Sequence, residues 1–157
     1  MMTNTDDIKK EFWTALSDSP NMLVNLHSSS DHSVPMRAYL DEDAKGAIWF
    51  YTSRSNRLAP GGQAMAQFVS KGHDLFACID GILFEEKDTS IIDKHWNNAV
   101  AAWYDEGRDD PDMLMLRFEL RDAEIWTADM SIKGAFKMML GMRMQENESG
   151  DHATVKL

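Results

Sequence analysis

Arg37, Arg54 and Arg57 are the residues of this chain best suited to chemistry, with Thr52, Ser53, Ser55 and Asn56 between and beside them. A guanidinium grips phosphate oxygens through paired N–H donors, and hydroxyl and amide groups add neutral donors. Together such residues can hold a dianionic phosphate even in a chain of formal charge −10. Trp49-Phe50-Tyr51 comes immediately before them and can offer an aromatic or backbone wall to a planar ring. The plainer alternative is a surface loop with ordinary arginines.

Other chemistries find less support. His27, His32, His73, His95 and His152 have no partners at metal-ligand spacing. His95 reads as a histidine at a packing edge. The acidic run 105–112 does not follow the alternate-position pattern of a calcium loop and reads as solvated. Cys78 is the single cysteine, so no intrachain disulfide and no cysteine-based zinc site can form. It lies in an apolar stretch, where a thiol is more often a small core residue than a nucleophile. Gly61-Gly62 lacks the Lys-Ser/Thr ending of a phosphate-binding loop.

The elements that must position the arginines follow from periodicity. Thr5, Asp6 and Asp7 begin a helix whose face is Ile8, Phe12, Ala15 and Leu16, and Pro20 ends it. Residues 22–26, 34–40 and 47–52 read as three strands of an antiparallel meander, the last buried on both faces. Residues 63–70 fit a short helix after the Pro60-Gly61-Gly62 loop. Asp80-Gly81 reads as a hairpin turn between strands 75–79 and 82–86. Ile92, Trp96, Ala99 and Trp103 define one face of a helix. Residues 113–120 and 123–127 read as two more strands. Ile132, Phe136, Met139 and Leu140 mark a last helix, followed by Gly141. Strands clustered in hairpins favour an antiparallel barrel with peripheral helices over a parallel doubly wound sheet.

At 157 residues the chain fits one domain. We divide it into a barrel domain over residues 5–143 and a polar tail over 144–157 that is expected to fray. Its acidity repels nucleic acid and anionic lipid at long range. No window approaches a membrane span, the first ten residues lack the apolar core of a secretory signal, and one thiol suits a reducing compartment. The expectation is a cytoplasmic protein with no nucleic-acid or membrane partner.

An ordered series of short motifs then carries a resemblance. It runs through Pro35-Met36, Ile48-Trp49-Phe50-Tyr51-Thr52-Ser53 and Ser55-Asn56-Arg57. It continues with Trp96-Asn97, Ala102-Trp103, Gly107 and Asp109-Asp110-Pro111-Asp112, and closes with Leu114-Met115-Leu116-Arg117 and Ala123-Glu124-Ile125-Trp126. Over residues 6–141 the chain resembles the general stress protein branch of the pyridoxamine 5'-phosphate oxidase-like, FMN-binding split-barrel superfamily. That resemblance implies a mainly β (α+β) fold, a six-stranded antiparallel split β-barrel with peripheral helices, and a homodimer with FMN at its interface. Carried onto this chain, the cofactor-binding residues are Val34, Pro35, Met36 and Arg37 on the second strand, Trp49, Phe50 and Tyr51 on the third, and Thr52, Ser53, Ser55, Asn56 and Arg57 after it. Trp126 matches a late tryptophan that reaches the flavin from the partner subunit. Val34 stands where the family usually has a basic or polar residue, Arg57 where it usually has lysine, and Pro60-Gly61-Gly62 where relatives have a continuous helix.

The implied function is an FMN-binding, stress-related protein, read as a flavin-dependent oxidoreductase of unassigned substrate and catalytic residues. The alternatives are a non-catalytic binder of flavin or another planar ligand, and a degenerate barrel that acts through its dimer surface. The C-terminal part lacks the second Arg/Lys/Ser cluster that a true pyridoxamine phosphate oxidase needs, and Lys133 is the one nearby candidate.

Overall fold

A computed structural model describes residues 4–128 and 152–157. Helix α1 (Asn4–Asp18) carries Asp6 and Asp7 in its first turn, where negative charge meets the positive end of the helix dipole. Its Ile8, Phe12 and Leu16 lie one turn apart and are fully buried. The strands are β1 (Asn21–Leu26), β2 (Val34–Arg37), β3 (Ala47–Ser53), β4 (Gly62–Val69), β5 (Leu75–Glu85), β6 (Met113–Thr127) and β7 (His152–Lys156). All pairings are antiparallel, in the order β2-β1-β4-β5-β6-β3, with β7 on β6 beside this path. The ends of the path meet at a single bridge, Tyr39 to Trp49, closed by two backbone hydrogen bonds of 2.8 and 3.0 Å. One bridge in place of a ladder leaves the barrel split. The six-stranded split barrel expected from the resemblance is therefore the fold, with β7 added. No helix among the described residues is long and apolar enough to cross a membrane.

Several elements differ from expectation. The first three strands are not a meander, because β1 pairs with β2 and β4 while β3 pairs with β6. Strand β3 needs cover on both sides: Ile48 and Phe50 enter the main core, and Ala47 and Trp49 a second cluster with Ile92, Met113 and Met115. Residues 63–70, expected as a helix, form most of β4. Ala64, Ala66 and Phe68 are buried at every second position, a strand period. Asp80-Gly81 is no turn but the middle of β5, whose register shifts between Ile79 and Gly81. The two late strands are one, β6. Its first half lies between β3 and β5, its second between β5 and β7.

The helix expected through Trp103 breaks into α2 (Thr89–His95) and α3 (Asn98–Ala101). Asn97 leaves the helical region to cap α3, its Oδ1 accepting from Val100 N at 3.0 Å. Trp103 is consequently 86% exposed, off any packed face. The polar end does not simply fray, because β7 pairs with β6 from Asp122 to Trp126 and buries Val155. Cys78 is half-buried on the outer side of β5, between the core residues Ala77 and Ile79. The helix expected around Phe136 and Met139 lies outside the described residues.

Candidate functional site

The turn that follows β3 is built by its own small side chains. Ser55 N donates to Ser53 Oγ at 3.1 Å, and Asn56 N donates to the Ser53 carbonyl at 3.0 Å. Leu58 N donates to Asn56 Oδ1 at 2.8 Å, and the Leu58 side chain anchors the turn in the core. Short polar side chains favour such turns because they replace missing backbone partners. The Ser53 and Ser55 hydroxyls lie 2.6 Å apart at the surface.

The arginines separate. Arg57 Nη1 donates to the His32 carbonyl at 2.8 Å, which brings the turn against the entry to β2, two residues before Val34. Arg54 faces elsewhere, with Nη1 2.7 Å from Glu85 Oε1 and Nε donating to the Pro111 carbonyl at 3.2 Å. Hydrogen bonding raises the Arg54 pKa and lowers that of Glu85. Arg37 is exposed at the far end of β2, about 10 Å along the strand from Val34. The three guanidinium groups thus do not converge. Arg57 alone reaches the start of β2, and Ser53, Ser55 and Asn56 shape the turn that carries it.

Within β2, Val34 is half-buried opposite Val24, Met36 is in the core, and Pro35 is exposed opposite Leu23. A proline fits here because β2 ends the strand path. On β3 the Trp49 and Phe50 rings are fully buried, so neither forms an open wall. Trp49 Nε1 donates to Glu86 Oε1 at 2.9 Å, His95 stacks on the indole at 5.6 Å, and the Arg117 guanidinium lies 5.3 Å from its centre. Burial at this packing edge lowers the His95 pKa, against the opposing pull of the Asp41 carboxylate. Tyr51 Oη donates to the Ile92 carbonyl, and Tyr104 Oη donates to the Thr52 carbonyl at 2.6 Å. Both phenols hold β3 against the α2–α3 layer, and burial raises both pKa values, that of Tyr104 to about 12.

Trp126 lies on the outer face of the sheet, well away from the turn in sequence. It stacks on His152 at 5.1 Å, and His152 Nε2 is 2.6 Å from Glu124 Oε1. Sequence spacing does not point to the contacts of Glu86 and Arg117 with Trp49 or of His152 with Trp126. A charged residue inside an apolar run, as in Leu114-Met115-Leu116-Arg117, was the available signal for Arg117.

The fit of a flavin phosphate can be judged from this geometry. The turn's amides of Ser55 and Asn56 are used internally and one of the Ser53 and Ser55 hydroxyls donates to the other, so the donors open to an anion are the second hydroxyl, the Asn56 side-chain amide and the remaining N–H groups of Arg57. That donor set suits a phosphate dianion.

A family model for pyridoxamine 5'-phosphate oxidase-like proteins matches residues 7–148. The general stress FMN/FAD binding protein of Xanthomonas citri is 39% identical, covering 82% of this chain and 94% of that one, with a TM-score of 0.74. A general stress family protein of Xanthomonas campestris pv. campestris is also 39% identical, over 83% of this chain and 94% of that one, with a TM-score of 0.75. A Jannaschia sp. CCS1 protein assigned as general stress protein 26 has a TM-score of 0.81 at 27% identity, over 98% of this chain and 100% of that one. No curated protein matches the sequence.

Proposed function

The chain belongs to the pyridoxamine 5'-phosphate oxidase-like family, and from that premise we propose that it binds FMN as a cytoplasmic homodimer of the general stress protein type. The observation that supports this reading is the Arg57 to His32 hydrogen bond, which sets a guanidinium from the turn that carries Ser53 and Ser55 beside the entry to β2. In this reading Ser53, Ser55 and Arg57 hold the phosphate. Asn56 keeps the turn in shape, and Tyr104 fixes the strand from which it springs. Val34, Pro35, Met36 and Arg37 contribute the neighbouring strand. Bound flavin supplies electron or hydride transfer, and the protein supplies binding, orientation and exclusion of water.

The dimer is supported by an apolar band on the outer sheet face. Val69, Phe76 and Trp126 stand in register across β4, β5 and β6 and are 47%, 41% and 40% exposed. A second copy is the occupant that the family suggests for this face, with Trp126 reaching the partner's flavin.

Oxidoreductase activity is the finer part of the proposal. The named phosphate-holding groups are hydroxyls and a guanidinium, which bind anions but do not exchange protons near neutral pH. A non-catalytic flavin carrier, which needs the same phosphate-holding groups, is the second reading. An absorption spectrum with and without FMN tests the shared premise. A bound-flavin spectrum with quenched fluorescence is expected, and added FMN that stays free and fluorescent would refute it. Consumption of a reduced nicotinamide with an electron acceptor then separates oxidoreductase from carrier.

A further inference from the structure

A second concavity lies at the opposite end of β3 from the Ser53–Arg57 turn, roughly 20 Å along the strand. It is a cleft of about 510 Å³ between α1 and the β2–β3 connection. That volume is within the span of about 300–1,000 Å³ typical of small-molecule sites.

Helical spacing builds one wall. Lys9, Trp13 and Ser17 form one row along α1 at steps of four, and Lys10 and Thr14 form the next. These rows flank the Ile8–Phe12–Leu16 stripe that seats the helix in the core. Trp13 is therefore only partly buried, one side packed and its ring 5.1 Å from that of Phe12. Leu40, Ala44 and Ala47 form the facing apolar wall, with Leu157 beside them.

The connection is fixed in shape. Asp41 Oδ1 accepts from Asp43 N at 2.9 Å, and the Ala44 amide donates to the Asp41 carbonyl at 3.1 Å. Asp41 Oδ2 lies 2.9 Å from Lys94 Nζ, so a lysine outside the cleft balances this carboxylate. Lys9, Lys10 and Lys45 also line the cleft, and among the described residues none of them is in an ion pair. Glu42 is the one other acidic side chain on the lining. A chain of net charge −10 thus keeps three ammonium groups around an apolar slot edged by an indole.

We propose that this cleft is a binding site for a small aromatic carboxylate, its ring against Trp13 and the Leu40–Ala44–Ala47 wall and its carboxylate among Lys9, Lys10 and Lys45. The site is separate from the flavin turn and does not depend on the flavin reading. The apolar slot supplies most of the affinity and the lysines supply the preference for an anion.

The test adds 2-naphthoate to the full chain with FMN in excess, and follows the Trp13 indole N–H by NMR, assigned with Trp13→Phe. A saturable shift of that resonance is expected. The uncharged 2-naphthylmethanol should bind roughly tenfold more weakly, and Lys9→Glu/Lys45→Glu should weaken naphthoate to a similar degree. The milder Lys9→Gln/Lys45→Gln should fall between, and Arg57→Ala should change nothing. An unshifted Trp13, equal binding of acid and alcohol, indifference to charge reversal, or a shift that excess FMN abolishes would each overturn the proposal.

Discussion

Arg54 and Arg57 sit three residues apart in one turn, yet their surroundings give them different work. Arg54 is paired with Glu85, and Arg57 reaches the entry to β2. In the proposed function Arg57 grips the flavin phosphate, so Arg57→Ala should weaken FMN binding by roughly 1.5–3 kcal/mol, the range for a charge-assisted hydrogen bond. Arg54→Ala should leave it nearly unchanged. A fluorescence titration decides, and equal losses in the two variants would remove the distinction. Tyr104 makes a second residue-scale prediction. Burial raises its phenol from 10.0 to about 12, so the folded state keeps a proton that the unfolded chain releases. Stability is therefore present below pH 10 and falls as pH rises towards about 12. Tyr104→Phe should flatten that decline without abolishing it, because the Tyr51 phenol is raised too. At neutral pH the variant should lose about 1 kcal/mol with the hydrogen bond to Thr52. Urea melts across the alkaline range measure both effects. Sequence spacing could suggest Arg57 as a phosphate ligand. It could not remove Arg54 from the set, because Glu85 lies 31 residues away and meets it only after folding.

At the scale of elements, Gly81 corrects a rule of thumb. Asp-Gly commonly marks a hairpin, but here glycine serves a close crossing of strands. A Cβ on Gly81 would lie 2.3 Å from the Glu119 carbonyl oxygen and 2.7 Å from the Phe118 ring. The nearer obstacle is backbone, so Gly81→Ala should cost roughly 1–3 kcal/mol by overpacking. An unchanged urea midpoint would show that β5 and β6 can separate there at little cost. Strand β4 is faint in the sequence for a different reason. Its alternation of Ala64, Ala66 and Phe68 with polar or flexible residues is a strand signal, but two small alanines make it faint. The α2–α3 break was hidden likewise, since Asn97 is as compatible with a helix surface as with the cap it forms.

For the whole molecule, the outer face joins residues far apart in the chain. Val69, Phe76 and Trp126 become one apolar band only through the β4–β5–β6 register. If that band seats a second copy, Phe76→Glu should convert the dimer to a monomer while the barrel stays folded, since Phe76 lies outside the core. Sedimentation with circular dichroism reads both properties. A dimer that survives the change would place the interface on another face.

What the sequence determined by itself was local or ordered along the chain: α1 with its buried stripe, β3 buried on both faces, the turn chemistry of Ser53–Arg57, and the motif series that led to the split barrel. These depend on periodicity and neighbouring side chains, which a linear chain displays. Strand partners were decided only by the tertiary structure. β3 left β2 for β6, β5 ran through its apparent turn, and the polar end became β7. The fate of each arginine and the cleft beside Trp13 were settled there as well. Such features depend on which distant residues can cover a face or satisfy a charge, and that is fixed when the sheet wraps around its core.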